Sequence, residues 1–292
     1  MKINRLFQKL FLDGIWYVGI RNYLSATPKT YKIIPPPNGQ WLADPFLYEY
    51  EGQHFLFVEQ YIQEENHACL GCYEIIDGIP TNYHVIIKNP YHMSYPCVFF
   101  FKGHHYIIPE SSANNTIDLY EAKEFPFLWE HKKTLLEGEK YVDSTVFKNK
   151  DKLMLLSYKK ASAGWYLVLF EVDLEKGVLI KLSESKYNNN TGRPAGLLYI
   201  DDNCLYRPSQ DCSVKYGESI IINKVDKDKL FNECIIKEYP QSIIEYKDID
   251  VPIKVKRVHT INRNTKYEVI DLFQEKIDLF RAIKLLKRKF NL

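Results

Sequence analysis

The stretch that decides the fold runs from Ala43 to Gln60, ADPFLYEYEGQHFLFVEQ. A polar motif at Asp44 opens it, an apolar run follows, Gly52 marks a turn, and a second apolar run ends at Glu59 and Gln60. The layout returns three times: SYPCVFFFKGHHYIIPES from Ser94, VDSTVFKNKDKLMLLSYK from Val142 and GRPAGLLYIDDNCLYRPS from Gly192. A looser fifth copy, RVHTINRNTKYEVIDLF, begins at Arg257. The registers agree: Asp44 to Glu59, Tyr95 to Glu110 and Asp143 to Tyr158 are each 15 positions apart, and Pro45, Pro96 and Pro194 fall in one slot. In the fourth copy Arg193 and Arg207 are the matching pair. A period near ~50 residues is what four-stranded propeller blades require. The pattern therefore predicts an all-β fold, a five-bladed β-propeller over residues 41–272.

Each copy reads as a β-hairpin. Gly52, Gly103, Asn149-Lys150-Asp151, Asp201-Asp202-Asn203 and Asn262-Arg263-Asn264 supply turn residues that tolerate positive φ. CYEII, IDLYEA, YLVLFEV and SIIINKV, between the copies, supply outer strands. Short helices are expected at the two ends. Residues 1–40 read as an N-terminal helix, a strand around IWYVGI able to close the ring against the last blade, and a Pro-rich lead-in at YKIIPPPNGQ. Residues 273–292 read as a basic amphipathic helix, with Phe273, Ile277, Phe280, Ile283 and Phe290 on one stripe. That helix either packs on the rim or makes a peripheral contact with an anionic membrane face.

Composition narrows the function. Aromatic residues make up 14% of the chain, with 22 Tyr and 16 Phe, which suits half-buried strands and also the stacking of sugar rings. A net charge of +2 gives no electrostatic case for nucleic acid. The Cys69-x-x-Cys72 pair lies in a strand-like stretch with no second pair at zinc spacing, so it reads as reduced, buried thiols. His67, His92, His104, His105 and His259 show no metal-ligand spacing, and no phosphate-binding glycine loop is present. No metal or cofactor is expected. Lacking a secretion signal pattern and any span of ~20 apolar residues, the chain is expected to be cytoplasmic.

In a propeller the innermost strand of each blade lies beside the axis, and its hairpin partner returns to the same mouth. Polar residues at equivalent positions of the repeat should therefore converge. Asp44, Glu110 and Asp143 are the candidate catalytic carboxylates. Glu59, His92, Tyr95, Arg193, Arg207, Gln210, Asp211, Tyr216 and His259 are the candidate substrate-binding residues. Carboxylates facing across a sugar-sized gap can act as acid and base in glycosyl chemistry. In a transferase one would deprotonate the acceptor hydroxyl while Arg193 and Arg207 held the phosphate of an activated sugar donor. The alternatives are a glycosidase, a non-catalytic glycan-binding module, and a network that only ties blades together.

ADPF, SYPCVFFF with DLYEA, YVDSTVF, GRPAG, YRPSQDCSVKYG and VHTIN together resemble the N-terminal domain of plant glucosamine inositolphosphorylceramide transferases and similar bacterial proteins linked to surface-polysaccharide synthesis. The resemblance runs in order from about Trp16 to Asp271. It implies a glycosyltransferase, or a component of one, meeting a sugar donor and a glycan acceptor. More distantly, ADPF and VDSTVF are similar to blade-opening motifs of five-bladed propeller glycosidases (arabinanases, xylosidases, invertases). That likeness implies a base or nucleophile at Asp44, although the order Asp44, Glu110, Asp143 departs from the glycosidase order.

Overall fold

A computed structural model describes residues 12–22, 30–37, 40–187, 189–226, 233–239, 245–247 and 254–278. The chain begins with β1 (Leu12–Asn22) and β2 (Thr30–Ile34), which belong to the last blade. Blade 1 is β3 (Gln40–Tyr50), β4 (Gln53–Ile62), β5 (His67–Ile76) and β6 (Ile79–Ile87). Blade 2 is β7 (Ser94–Phe101), β8 (His104–Glu110), β9 (Thr116–Glu124) and β10 (Leu128–Glu137). Blade 3 is β11 (Val142–Asn149), β12 (Lys152–Ala161), β13 (Gly164–Asp173) and β14 (Val178–Tyr187). Blade 4 has a broken inner strand, β15 (Arg193–Pro194) and β16 (Tyr199–Asp201), beside β17 (Cys204–Asp211), β18 (Ser219–Val225) and β19 (Glu233–Tyr239). Blade 5 takes β20 (Glu245–Lys247), β21 (Val255–Arg257), β22 (Ile261–Arg263) and β23 (Tyr267–Ile277), completed by β1 and β2. The five sheets form a five-bladed β-propeller.

Burial explains the strand sequences. The second strand of a blade has a neighbouring blade on each face, so both of its faces are apolar. In β4, Phe55, Leu56, Phe57 and Val58 run without alternation, and all are buried. Phe57 joins the cluster towards blades 2 and 3, whereas Leu56 and Val58 join the cluster towards blade 5. Each such side chain contributes about 1.5–3 kcal/mol. Farther from the axis the demand fades: in β14, Val178, Ile180 and Leu182 alternate with half-buried or polar residues and are exposed. Two-residue turns at Glu51-Gly52, Lys102-Gly103 and Asp202-Asn203, each with positive φ at both positions, match the twist of the strands they join.

Two expected boundaries are corrected. β1, the expected closing strand, pairs with β23 along its whole length, Leu12 opposite Ile277 and Asn22 opposite Tyr267, and Thr30–Ile34, within the stretch expected as a Pro-rich lead-in, is a further strand of blade 5 that pairs with β1. The ring is thus closed by strands from opposite ends of the chain, as IWYVGI suggested. Phe273–Ile277, expected to start a helix, is the end of β23. Its partner lies some 250 positions upstream, so local periodicity does not reveal it. The helices expected within 1–11 and 279–292 lie outside the described residues. Cys69 and Cys72 are buried free thiols, and burial pushes both thiols up, Cys69 to about 11.

Candidate functional site at the propeller axis

The polar motif that opens each blade does more than begin a strand. At Asp44, Tyr95 and Asp143 the chain takes positive φ (45°, 48° and 50°), and the ladder skips a register between Ala43 and Phe46, Ser94 and Cys97, and Val142 and Thr145. These are β-bulges at equivalent places in three blades. The skip offsets the expected pairs by one: Ala43, Ser94 and Val142, not their neighbours, face Glu59, Glu110 and Tyr158. The bulged residue is released from the ladder, and its N–H turns to the preceding blade. Asp44 N donates to Asp271 Oδ2 (3.2 Å), Tyr95 N to Asp44 Oδ2 (3.1 Å) and Asp143 N to Glu110 Oε2 (3.2 Å).

The carboxylates are thereby gathered and tied. Asp44 Oδ1 accepts the Thr260 hydroxyl at 2.6 Å. Asp143 accepts Gln210 Nε2 at 2.8 Å and both Nε and an NH2 group of Arg193, and the same NH2 group reaches Glu110 Oε2 at 3.4 Å. Glu110 Oε1 accepts Ser112 Oγ at 2.7 Å. Asp271, fully buried, accepts His259 N (2.8 Å), Thr260 N (2.9 Å) and the His259 ring Nδ1. Asp44, His259 and Asp271 offer ligand atoms within 4.8 Å of one another, a spacing a metal ion could use. All four of the carboxylate oxygens there already receive protein donors, so the cluster is self-satisfied.

Charge is shifted accordingly. Burial lifts Asp44 to about 6; His259 opposes the rise, and Asp143 and Asp271 add to it. Burial lifts Asp143 to about 7, opposed by Arg193 and assisted by Glu110. Burial, then Asp44, Glu110, Asp271 and Asp143 in turn, raise Glu59 well above the carboxylate range. Burial favours neutral His259, but the Asp271 and Asp44 carboxylates outweigh it and hold the imidazole above its ordinary value. Its ring stacks under Trp16 at 4.0 Å and 15°.

The other expected residues divide. Tyr95 is wholly buried and crosses the axis: its hydroxyl pairs with Thr145 Oγ1 at 2.8 Å and accepts Gly196 N at 2.7 Å, so it forms the floor of the mouth. Arg207 is buried on Gly192 O (3.1 Å) and Tyr187 Oη (3.3 Å), and the residue facing Arg193 across the ladder is Gln210. Asp211 is half-buried, and its Oδ1 accepts Ser213 N at 2.9 Å, which shapes the loop carrying Tyr216. Tyr216 is 43% exposed, its ring 5.0 Å from the Arg193 guanidinium carbon and edge-on to His259 at 5.3 Å. His92 Nε2 lies 3.3 Å from Glu59 Oε1. Sequence reasoning passed over Thr260, the aromatic rings Trp16, Trp41 and Tyr61, and the weight carried by Asp271. The signal for Asp271 was its slot, which in the fifth copy matches Glu59 and Glu110.

Residues 34–265 match the family "Glucosamine inositolphosphorylceramide transferase 1, N-terminal". The chain belongs to this family. Curated relatives named glucosamine inositolphosphorylceramide transferase 1 are 27% identical over 255 residues in Arabidopsis thaliana and over 226 residues in Oryza sativa subsp. indica, covering 81% and 74% of this chain. The matched region spans only 31% and 28% of those proteins. Among solved structures, the α-L-arabinofuranosidase PaAbf62A from Podospora anserina aligns with a TM-score of 0.62 at 13% identity, over 80% of this chain and 81% of that one. Zg3597, a family 117 glycoside hydrolase from Zobellia galactanivorans, aligns with a TM-score of 0.56 at 11% identity, over 93% and 92%. These likenesses concern the fold. No helix among the described residues is long and apolar enough to cross a membrane.

Proposed function

We propose that the axial mouth of this propeller binds carbohydrate and serves glycosyl transfer in surface-polysaccharide assembly, as the transferase itself or as its acceptor-binding component, on the cytoplasmic side. The observation that carries the reading is the gathering of Asp44, Glu59, Glu110 and Asp143 from three blades around one mouth, with Asp44 and Asp143 lifted to about 6 and about 7. A carboxylate with such a value is a stronger base than an ordinary one and sits near the pH at which it would work. Asp44, Glu110 and Asp143 are the groups offered to this chemistry. Glu110 is the most accessible of them, its side chain 11% exposed.

The charge balance favours an acceptor over a donor. The Arg193 guanidinium is spent on Asp143 and Glu110, and Arg207 is buried on Gly192 O and Tyr187 Oη. Sugar hydroxyls exchange hydrogen bonds with carboxyl groups, whereas a diphosphate would meet like charge. The donor's phosphates are therefore assigned to another site, on a partner or on a further domain. The plant relatives, named as transferases, support the reaction class; the basic segment near the C-terminus is assigned the membrane contact. Cells that lack the chain and receive the Glu110→Gln variant are expected to lose incorporation of labelled sugar into surface polysaccharide. Incorporation at the wild-type rate would exclude Glu110 from the mechanism. A second reading, glycoside hydrolysis, is favoured by the raised Asp44 carboxyl at the opening of blade 1. It predicts release of free sugar from aryl furanosides, abolished in Asp44→Asn.

A further inference from the structure

Glu59 differs from the other acids of the mouth. It is 5% exposed, yet among the described residues its one close polar partner is His92 Nε2 at 3.3 Å. His92 is itself fixed: Ala68 N donates to its Nδ1 at 3.2 Å, which leaves the proton on Nε2, the nitrogen facing Glu59. Burial, and then His67, hold His92 below its ordinary value and so favour this neutral form. Beyond Glu59, on the same face of β4, comes Tyr61, and opposite it across the ladder stands Trp41. The two rings are parallel at 4.5 Å and 5°, and both are half-buried. Because β3 is the inner strand, Trp41 lies on the axial side of this pair. It also touches the Trp16–Ala43–Phe273 cluster of blades 5 and 1.

We propose that blade 1 carries a subsite for an uncharged pyranose, in which the sugar's apolar face seats against the Trp41–Tyr61 pair and a hydroxyl exchanges hydrogen bonds with the Glu59 carboxyl, held in place by His92. The inference rests on the carbohydrate reading of the mouth and adds the class of sugar. Aromatic rings seat the C–H face of a pyranose, and their parallel pairing pre-organises them for it. A protonated carboxyl both donates and accepts, as a sugar hydroxyl does. An acidic sugar would bring a further negative charge into a mouth already lined by Asp44, Glu110 and Asp143 and is disfavoured.

The test uses the full chain on an array of neutral and uronic-acid oligosaccharides. Titration with methyl glucoside, methyl N-acetylglucosaminide and methyl glucuronide follows, with a thermal melt on every variant. A neutral glycoside is expected to bind at least about tenfold more tightly than the glucuronide, a difference of about 1.4 kcal/mol. Trp41→Ala, Tyr61→Leu and Glu59→Ala should each weaken the neutral ligand by about tenfold or more, and Glu59→Gln, which can still donate and accept, by clearly less than Glu59→Ala. Tyr61→Leu keeps apolar volume and remains informative if Trp41→Ala fails to fold. Tighter binding of the glucuronide would overturn the sugar class. Unchanged binding in the Trp41, Tyr61 and Glu59 variants, with loss in Glu110→Gln, would overturn the subsite but leave the carbohydrate reading standing. No binding anywhere on the array would overturn both.

Discussion

Replacing Asp271 by alanine tests how the ring is held shut. The side chain is fully buried at the junction of blades 5 and 1, and it receives the backbone N–H groups of His259, Thr260 and Asp44 together with the His259 ring. Alanine would leave three buried backbone donors without an acceptor. Each such loss costs about 1–3 kcal/mol, and neighbouring losses do not add in full, so a total of about 4 kcal/mol is expected. For a domain of this size 1 kcal/mol lowers Tm by about 2–4 °C, which gives a fall of about 8–16 °C in a melt followed by tryptophan fluorescence. Asp271→Asn keeps an oxygen for His259 N and Thr260 N but presents an N–H2 group to Asp44 N. It should fall between wild type and alanine. An alanine variant melting within about 2 °C of wild type would refute the claim that Asp271 bears the closure.

Three further outcomes follow from the same structure. Because Asp44 and Asp143 are raised from 3.8 to about 6 and about 7, the folded state keeps protons there that the unfolded chain has already lost, so stability is greatest at low pH and declines as pH rises from about 4 to about 7. His259, raised above 6.5, adds a loss of the same sign above that value; Tm at pH 5 should exceed Tm at pH 8, and Asp143→Asn should flatten the slope, measured in parallel melts. Gly196→Ala should prevent soluble expression or sharply lower Tm, since Gly196 has φ +138° and an added Cβ would sit 2.0 Å from the Ile261 carbonyl oxygen, where blades 4 and 5 meet. Tyr95→Phe removes the acceptor of Gly196 N and should cost about 1–3 kcal/mol in urea unfolding.

The hairpin repeat was legible because blade packing imposes it residue by residue: a strand covered on both faces needs FLFV, and a tight turn needs residues that accept positive φ. The convergence of Asp44, Glu110 and Asp143 followed from the period. What stayed hidden depended on partners remote in sequence. The strand at Phe273–Ile277 read as helix because β1, its partner, lies at the other end of the chain. The one-residue offset at Asp44, Tyr95 and Asp143 arises from bulges, and a bulge leaves no mark on a hydrophobic pattern when the residues on either side are buried anyway. Arg207 looked like a second cation for the mouth because counting from Arg193 falls three positions short of its ladder partner Gln210; the broken inner strand of blade 4 removes the residue count on which the register argument relied. Trp41 and Tyr61 were indistinguishable from strand packing until their parallel stacking was visible.

The hydrogen-bond arithmetic redistributes the chemistry among the acids. Asp44, Asp143 and Asp271 each accept protein donors on both oxygens: Asp44 and Asp271 pair backbone N–H groups of the neighbouring blade, and Asp143 holds the Arg193 and Gln210 side chains of blade 4. Substituting them removes ties as well as charge, so loss of activity in such variants cannot by itself assign a catalytic role. Glu110 holds a tie through Asp143 N but also reaches solvent, and Glu59 holds no blade-to-blade hydrogen bond among the described residues. A ligand can engage Glu59 and Glu110 without dismantling the ring. Burial first, and then the charges of Asp44, Glu110, Asp271 and Asp143, raise the Glu59 carboxyl and favour its protonated form, while the two glutamates face the ligand. On this argument the informative variants are Glu59→Gln and Glu110→Gln, because each removes a titratable carboxyl while every bulge keeps a hydrogen-bond acceptor.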